Sequence, residues 1–158
     1  MTTTSPIQSV GRYELDPKAG IYLINFDTVN GLELYTRMTA NHWASLNPDP
    51  GSQWNDIHRV SIGDGFLFWF NENGITNLGV AQNTPVFSQP RGHRCGYWDV
   101  SMGKSWRTLD KVVTFPEMDN LMLNRISAHG TIQWTIFELT HFGHAEAHQV
   151  FSLAMSRT

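Results

Sequence analysis

The stretch from Ser61 to Ala81, SIGDGFLFWFNENGITNLGVA, limits the possible folds more than any other part of the chain. Phe66 to Phe70 is an unbroken run of apolar residues that favour strands, and it is long enough for one buried strand. Asn71 to Gly74 is typical of a turn, because Asn and Gly tolerate positive φ. A return strand is predicted over about 77–82, where Gly79 allows another backbone or a ligand to come close. The core is therefore expected to form around a β-hairpin.

The rest of the sequence predicts further elements on both sides of this hairpin. Strands are predicted over 20–27, 96–102 and 108–115, helices over 31–40, 54–60, 119–126 and 144–155, and loops over 41–53 and 83–94. The segment 131–139 fits either a strand or a helix. Because strands joined by hairpins are mostly antiparallel, this order favours an α+β domain with a curled sheet over a doubly wound fold.

Composition narrows the class of protein and its compartment. A chain of 158 residues predicts one domain, over residues 13–158, after a loose polar tail over residues 1–12. The net charge of −3 argues against bulk electrostatic binding of nucleic acid but leaves room for a local basic patch. A single cysteine, Cys95, excludes an internal disulfide and is typical of the reducing cytosol. The sequence also lacks an apolar run near the ~20 residues that span a bilayer.

Several segments, in this order, resemble the YTH domains of the PUA-like superfamily. They are GIYLINF, a helix, NHWAS, a short helix, IGDGFLFWFNENG, LGVA and GYWDV. Within them, Leu67 to Gly74 is similar to the family's (L/I)-F-x-V-x-x-x-G strand, Gly79-Val80-Ala81 to G-(V/F)-A, and Gly96 to Val100 to G-x-F-x-V with Trp in place of Phe. The turn Ile62-Gly63-Asp64 also resembles the related EVE domains. The resemblance covers about residues 20–115.

The resemblance implies both a fold and a ligand. It implies a closed or nearly closed mixed β-barrel of about five to six strands, flanked by helices. It also implies a pocket that holds one methylated base, with N6-methyladenine favoured, between aromatic walls after the base is flipped out of a duplex. Prokaryotic relatives often serve modification-dependent restriction systems, so methylated DNA and a fused or associated nuclease are the expected partners, with RNA as an alternative.

Trp43 matches the cage tryptophan of the family and lies in the predicted loop 41–53. Ala44 follows it and could offer its backbone amide to the base. The sequence does not assign the second aromatic wall. Phe87 is the nearest loop aromatic, while Tyr97 or Trp98 could turn toward the pocket. Base–aromatic stacking is worth ~1–3 kcal/mol, so these walls would supply much of the affinity.

Trp69 takes a position where the family has a small residue, so it either packs in the core or reshapes the pocket floor. Polar groups that read the base edge are expected just after the first strand, at Asp27, Asn30 and Glu33. Glu33 falls where the family places an Asn or Asp. The alternative is that Asn30 caps the helix and Glu33 is exposed.

The charge distribution is uneven. Five of the eleven basic side chains lie between residues 89 and 111, and we predict phosphate contacts by Arg91, Arg94, Lys104 and Arg107. By spacing, Arg94 also stands at one of the family's cage positions. A solvated, mildly basic loop pair is the alternative.

Competing chemistries are weaker. His144 and His148 have the i, i+4 spacing of helical metal pairs, with His141 and Glu146 nearby, but the motif H-E-x-x-H is missing and a polar helix face is favoured. Cys95 beside His93 and Arg94 makes a poor nucleophile–base pair, because neighbouring strand residues point apart. We therefore expect no metal, no cofactor and no catalysis by this domain alone. The open alternatives are an EVE-like reader of modified cytosine, an RNA reader, and a small enzyme or small-molecule-binding domain.

Overall fold

The computed structural model describes residues 15–26, 32–46, 57–70, 74–92, 96–129 and 136–158. The predicted tail over residues 1–12 and most of the turn over 71–74 lie outside this part of the chain. The described residues form eight strands, which are β1 Ile21–Phe26, β2 Trp43–Leu46, β3 Gly65–Phe70, β4 Ile75–Val80, β5 Val86–Ser88, β6 Tyr97–Ser101, β7 Arg107–Val113 and β8 Ile136–Glu138. Four α-helices accompany them, which are α1 Leu32–Asn41, α2 Phe115–Leu121, α3 Arg125–His129 and α4 His144–Ser156. The predicted α+β class is confirmed.

The strands form two sheets. The larger sheet has the order β7-β4-β3-β1-β8, in which β1 and β3 are parallel and the other described pairs are antiparallel. The smaller sheet has the order β2-β6-β5 and is antiparallel throughout. The chain must cross over between the parallel strands β1 and β3, and α1 and β2 lie in that crossover.

Strand β3, the first strand of the predicted hairpin, is buried on both faces. Its side chains alternate between two hydrophobic clusters. Leu67 and Trp69 belong to the cluster that includes α2, α3 and α4, whereas Phe66 and Phe68 belong to the cluster that includes α1 and the small sheet. The hairpin prediction is correct, and the large sheet separates two layers of packing.

Asp64 fixes the turn that leads into β3. Its carboxylate accepts hydrogen bonds from the backbone N–H groups of Gly20, at 3.0 Å, and Ser61, at 2.8 Å. Burial raises the pKa of Asp64, and the two backbone hydrogen bonds act in the opposite direction. This carboxylate therefore ties the start of β3 to the start of β1.

Two predictions of local structure are wrong, and a third is wrong only at the end of its element. The predicted loops 41–53 and 83–94 contain β2 and β5, two short strands that exist because both pair with β6. The strand predicted over 108–115 ends at Val113, and Pro116 lies in the first turn of α2, where its missing N–H is tolerated. The segment 131–139, open between strand and helix, forms β8 in its described part. In the ranges that the structure describes, no helix is long and apolar enough to cross a bilayer.

Candidate functional site

Trp43 is the first residue of β2, an edge strand of the small sheet, and is half-buried. It was expected in a loop, but it pairs with Ser101 on β6. Because side chains alternate along a strand, Trp43 and Ser45 lie on one face and Ala44 on the other. Ala44 is fully buried in the core, so any contribution from it to ligand binding would be limited to its backbone.

The Trp43 face of the small sheet is polar at its centre. The register pairs Ser45 with Asp99 and Tyr97 with Ser88, so all four side chains lie on the same face as Trp43. Asp99 is buried, as is Ser45. Trp98, between Tyr97 and Asp99 on β6, lies on the opposite face. A buried carboxylate in an otherwise apolar setting requires donors, because leaving it unpaired is costly.

Arg37 of α1 supplies the main donors to Asp99. Its Nη2 lies 2.6 Å from Oδ2 of Asp99 and its Nε lies 3.3 Å from Oδ1. Both side chains are largely buried, with 15% of Arg37 and 11% of Asp99 exposed. The Oγ of Ser45 donates to Oδ1 at 2.6 Å, and the Oγ of Ser88 donates to Oδ2 at 2.9 Å. Arg37 Nη2 also donates to Ser88 Oγ at 3.0 Å. The carboxylate is thus held by one cation and two hydroxyls.

The guanidinium of Arg37 also contacts both aromatic rings of this face. Its Cζ lies 4.2 Å from the ring centroid of Tyr97 and 5.1 Å from that of Trp43, both within the range of a cation–π contact. The hydroxyl of Tyr97 donates to the carboxylate of Glu33, one turn earlier on α1. We call Trp43, Tyr97, Asp99, Ser45, Ser88 and Arg37 the arginine pocket.

The arginine pocket has the chemistry of a binding site for a flat, hydrogen-bonding group. The half-buried ring of Trp43 offers a stacking surface, whereas Tyr97 is 1% exposed and its ring packs against Arg37. Asp99 with two serine hydroxyls offers acceptors and donors at one edge. In this structure the group that satisfies these features is the protein's own arginine.

Phe87 and Trp98 do not lie on the Trp43 face. They pair with each other in the register of β5 and β6, and Trp98 also pairs with Leu46. Their ring centroids are 5.2 Å apart at an angle of 61°, and His58 packs edge-on against Trp98 at 4.6 Å. The expectation that either ring opposes Trp43 is wrong for this structure, because strand alternation turns both to the opposite face. Tyr97, the remaining candidate wall, does share the face of Trp43.

Trp69 is a core residue. It is 5% exposed and packs edge-on against Phe115 of α2 with ring centroids 5.9 Å apart. Since Trp69 points to the helical layer and Trp43 belongs to the small sheet on the other side of β3, the prediction that Trp69 reshapes the pocket floor is wrong. The bulky residue at this position fills the space between β3 and α2.

The predicted polar readers are described in part. Glu33 lies close to the pocket through its contact with Tyr97, whereas Asp27 and Asn30 lie outside the described residues. Among the predicted phosphate contacts, Arg94 also lies outside them. Arg91 is exposed in the turn after β5, and Lys104 is exposed in a 3₁₀ turn before β7.

Arg107 is less free for a phosphate contact than predicted. It is half-buried, and its Nη1 donates to the backbone carbonyls of Lys104 and Trp106. Trp106 in turn stacks on His42, with ring centroids 5.1 Å apart and an interplanar angle of 3°. Since His42 precedes Trp43, Lys104 and Arg107 lie toward the Trp43 end of the small sheet.

His144 and His148 serve a structural purpose in α4. Nε2 of His144 lies 2.6 Å from the carbonyl oxygen of Pro17, and Nε2 of His148 lies 2.9 Å from that of Ala19. The two imidazoles therefore hold the segment that precedes β1. Over the described ranges, no three His, Cys, Asp or Glu residues are grouped so that they could hold a metal ion.

Sequence reasoning missed Arg37, Asp99, Ser45 and Ser88 as site residues. The signal for Arg37 was its i, i+4 spacing from Glu33, which places both on one face of α1. The signal for Asp99 was an acidic residue inside a short strand with apolar neighbours, where a buried carboxylate calls for a cation. No pattern links the two serines to the site, because their proximity arises from pairing between distant strands.

The sequence of this chain matches no protein-family model and no curated protein. The structure is similar to that of Rpa0253 from Rhodopseudomonas palustris, with a TM-score of 0.56 and 10% identity, over 88% of this chain and 92% of that one.

Two human structures are similar as well. Human THYN1 in complex with DNA containing 5-methylcytosine matches with a TM-score of 0.53 and 12% identity, over 86% of this chain and 98% of that one. The DUF55 domain of human thymocyte nuclear protein 1 matches with a TM-score of 0.51 and 12% identity, over 84% and 99%. TM-scores above 0.5 over most of each chain indicate a shared fold, and identities of 10–12% show nothing beyond it. The chain therefore shares the α+β fold of these three structures.

Proposed function

We propose that this chain is a nucleic-acid-binding module that recognises a methylated base in DNA at the arginine pocket. The observation that carries the proposal is the half-buried indole of Trp43 at the edge of the small sheet, with Tyr97 and the Asp99 carboxylate on the same face. Stacking on an aromatic ring and a hydrogen bond to the base edge are the two interactions that a flipped base requires.

The shared fold supports the same class of ligand. Human THYN1, whose fold this chain resembles, has been crystallised with DNA that contains 5-methylcytosine. The similarity of GIYLINF, NHWAS and GYWDV to YTH domains favours N6-methyladenine instead. Both bases are flat, carry one added methyl group and keep at least one N–H on the exocyclic nitrogen, so both fit the chemistry of this site.

In this proposal the module only binds DNA, and a partner protein or fused domain carries out any reaction. The residues of the arginine pocket offer stacking and hydrogen bonds but no activated nucleophile. A nuclease of a modification-dependent restriction system, fused or associated, would be the effector that gives such recognition a consequence. Exposed cations at Arg91 and Lys104 would grip phosphates and position the strand.

A titration of oligonucleotides tests the proposal. One position carries 5-methylcytosine, N6-methyladenine or the unmodified base, in single- and double-stranded DNA and in RNA, and affinity is measured by fluorescence anisotropy. We expect a methylated base in DNA to bind most tightly. Trp43→Ala should abolish the preference for the methyl group, because it removes the stacking surface, which is worth ~1–3 kcal/mol per base.

Trp98→Ala is the matched control, since it removes a half-buried indole from the opposite face of the same sheet. It should keep the methyl preference, even if the protein is less stable. Equal affinity for methylated and unmethylated oligonucleotides in the wild-type protein would refute the proposed function. A preference that survives Trp43→Ala would show that the base binds elsewhere.

A further inference from the structure

The arginine pocket is filled by a side chain whose hydrogen-bonding edge resembles that of a base. Arg37 is flat, lies against Tyr97 and Trp43, and directs two N–H groups, from Nε and Nη2, at the two oxygens of Asp99. A nucleobase with an exocyclic amino group is also flat and also presents N–H donors at one edge. Such a base can therefore lie against the same rings and donate an amino N–H to one oxygen of the same carboxylate, although it lacks the second donor nitrogen of the guanidinium.

We infer that Arg37 is an internal occupant of the base site, and that binding exchanges it for a base whose edge donates an amino N–H to Asp99. This inference rests on the proposed function and adds to it a class of ligand, bases with an exocyclic amino group, and the two residues that set that class. Arg37 competes with the ligand, and Asp99 selects it.

The state of Asp99 after the exchange explains the selectivity. Ser45 and Ser88 still donate one hydroxyl to each carboxylate oxygen, but the cation has gone. A largely buried carboxylate then needs another donor. The amino groups of cytosine and adenine provide one, whereas thymine and uracil place their O4 acceptor at the corresponding position and would repel the carboxylate.

Several groups hold Arg37 in the site, and a ligand must displace it from all of them. Asp99, Ser88 and the rings of Tyr97 and Trp43 all contact the guanidinium. An occupied site lowers the apparent affinity for any ligand by the fraction of molecules in which the site is open. This factor is the same for every ligand, so Arg37 sets how tightly a ligand must bind, and Asp99 sets which ligand is preferred.

The first test compares two methylated bases that differ at the edge that would face Asp99. 5-Methylcytosine and thymine carry the same C5 methyl group, but one has an amino group where the other has O4. Each is placed opposite an abasic site in a DNA duplex, so that neither has a pairing partner to lose. We expect 5-methylcytosine to bind about tenfold or more tightly than thymine. Equal binding of the two by a protein that prefers methylated over unmethylated cytosine would overturn the inference while leaving the proposed function standing.

The second test removes the positive charge of Arg37 and measures whether the affinity for DNA falls or rises. Arg37→Gln removes a positive charge, which would weaken binding if Arg37 were an ordinary contact to DNA. If Arg37 is a competitor, the variant binds 5-methylcytosine several-fold more tightly. Arg59→Gln is the control, because it removes the same charge from a 60% exposed side chain whose partner, Glu138, is 3.6 Å away. Weaker binding by Arg37→Gln than by Arg59→Gln would overturn the inference.

The third test begins with the wild-type protein. In wild-type protein, the Nε–H resonance of Arg37 reports the hydrogen bond to Asp99 by ¹⁵N NMR. Addition of saturating 5-methylcytosine DNA should shift it to the position of a solvated arginine. Ser88→Ala, which removes one contact to the guanidinium, should lower the concentration of DNA needed. An unchanged resonance in the saturated complex would show that Arg37 stays in place and that the exchange is wrong. Absence of binding to every oligonucleotide would instead refute the proposed function itself.

Discussion

Asp99 lies in the middle of β6 and receives hydrogen bonds from Arg37, Ser45 and Ser88, which come from three different elements. Each oxygen of this buried carboxylate accepts hydrogen bonds from two donors. The same arrangement joins α1, β2 and β5 to β6. Asp99 is therefore both a candidate ligand contact and a structural centre of the small sheet.

We predict that Asp99→Ala lowers the free energy of unfolding by about 3–5 kcal/mol, because it leaves the largely buried Arg37 cation unpaired. Chemical denaturation measures the change. Asp110→Ala, at an exposed position of β7, is the control and should change stability by less than about 0.5 kcal/mol. Similar values for the two variants would show that the Arg37–Asp99 pair contributes little.

Gly96, which precedes β6, lies in close contact with β5. A Cβ at this position would lie 2.9 Å from the backbone oxygen of Ser88 and closer still to the ring of Phe87. Gly96→Ala should therefore destabilise the protein by about 1–3 kcal/mol, through displacement of β5 or of the Phe87 ring. Gly20→Ala is the control, since its Cβ would make ordinary contacts at 3.4 Å and beyond. Thermal denaturation that ranks Gly20→Ala as the more damaging change would contradict this packing.

A residue of the proposed site could be chosen from the sequence where its type alone suggests the interaction, such as stacking by an indole. Trp43 could be chosen from the sequence, because an indole among polar neighbours is unusual. Arg37 could be placed on the same face of α1 as Glu33, but the sequence does not show that α1 brings it over β6. Residue type alone also misled for Trp69 and Trp98. Both are aromatic, but strand alternation directs them away from the proposed site.

At the scale of elements, α2 shows how a short helix is secured at its beginning. Thr114 and Glu117 form a reciprocal capping box, in which the Thr114 N–H donates to Glu117 Oε1 at 3.0 Å. Arg157, just after α4, donates from Nη1 and Nη2 to the two oxygens of Glu117 at 2.9 and 2.6 Å. The carboxylate thus links the start of α2 to the end of α4.

This link predicts a dependence of stability on pH. Hydrogen bonds from Arg157 and from the backbone of Thr114 lower the pKa of Glu117 to about 2. Because the pKa in the folded state is below its ordinary value of 4.5, the ionised carboxylate stabilises the fold above that value. This stabilisation is lost as the pH falls from about 4.5 to about 2.

Comparison of wild type with Glu117→Gln measures the effect. The variant should be less stable at pH 7, and the difference in free energy of unfolding should shrink as the pH falls through this window. A difference that is constant between pH 6 and pH 2.5 would contradict the role of the charge. Glu146→Gln, whose contact with Arg125 is longer at 3.8 Å, is the matched control.

Long elements were predictable and short ones were not. β1, α1, the hairpin strand β3, β6 and α4 have enough residues for a hydrophobic period to be visible in the sequence. β2 and β5 have four and three residues and lie in segments rich in turn-forming residues. They form because β6 lies between them and offers backbone partners on both sides, which is a tertiary effect.

At the scale of the whole molecule, the net charge is −3, so any attraction to DNA must come from local cations. Arg91 and Lys104 are exposed at turns that flank the small sheet. The fold itself was predictable in outline, because the order and spacing of several weak motifs resembled the PUA-like superfamily, although no single motif was specific. The pairing of distant strands that forms the site was beyond any local pattern.

We predict that Lys104→Ala weakens DNA binding evenly for methylated and unmethylated sites and lowers the slope of log affinity against log salt by about one. Binding isotherms at several salt concentrations measure this. Lys18→Ala, an exposed lysine beside the segment held by α4, is the control and should leave the slope unchanged. A loss of methyl preference in Lys104→Ala would instead place this side chain in the base site.

The parallel pairing of β1 with β3 has a consequence for how such a protein diversifies. The crossover between these strands supplies Glu33, Arg37 and Trp43, whereas the strands themselves supply the core. Substitutions in this one connection can therefore change the stacking ring and the competing arginine of the proposed site without altering the core strands. Transplanting the connection into another chain of the same architecture would be expected to carry these two features, whereas the preference for an amino group would also require Asp99 of β6.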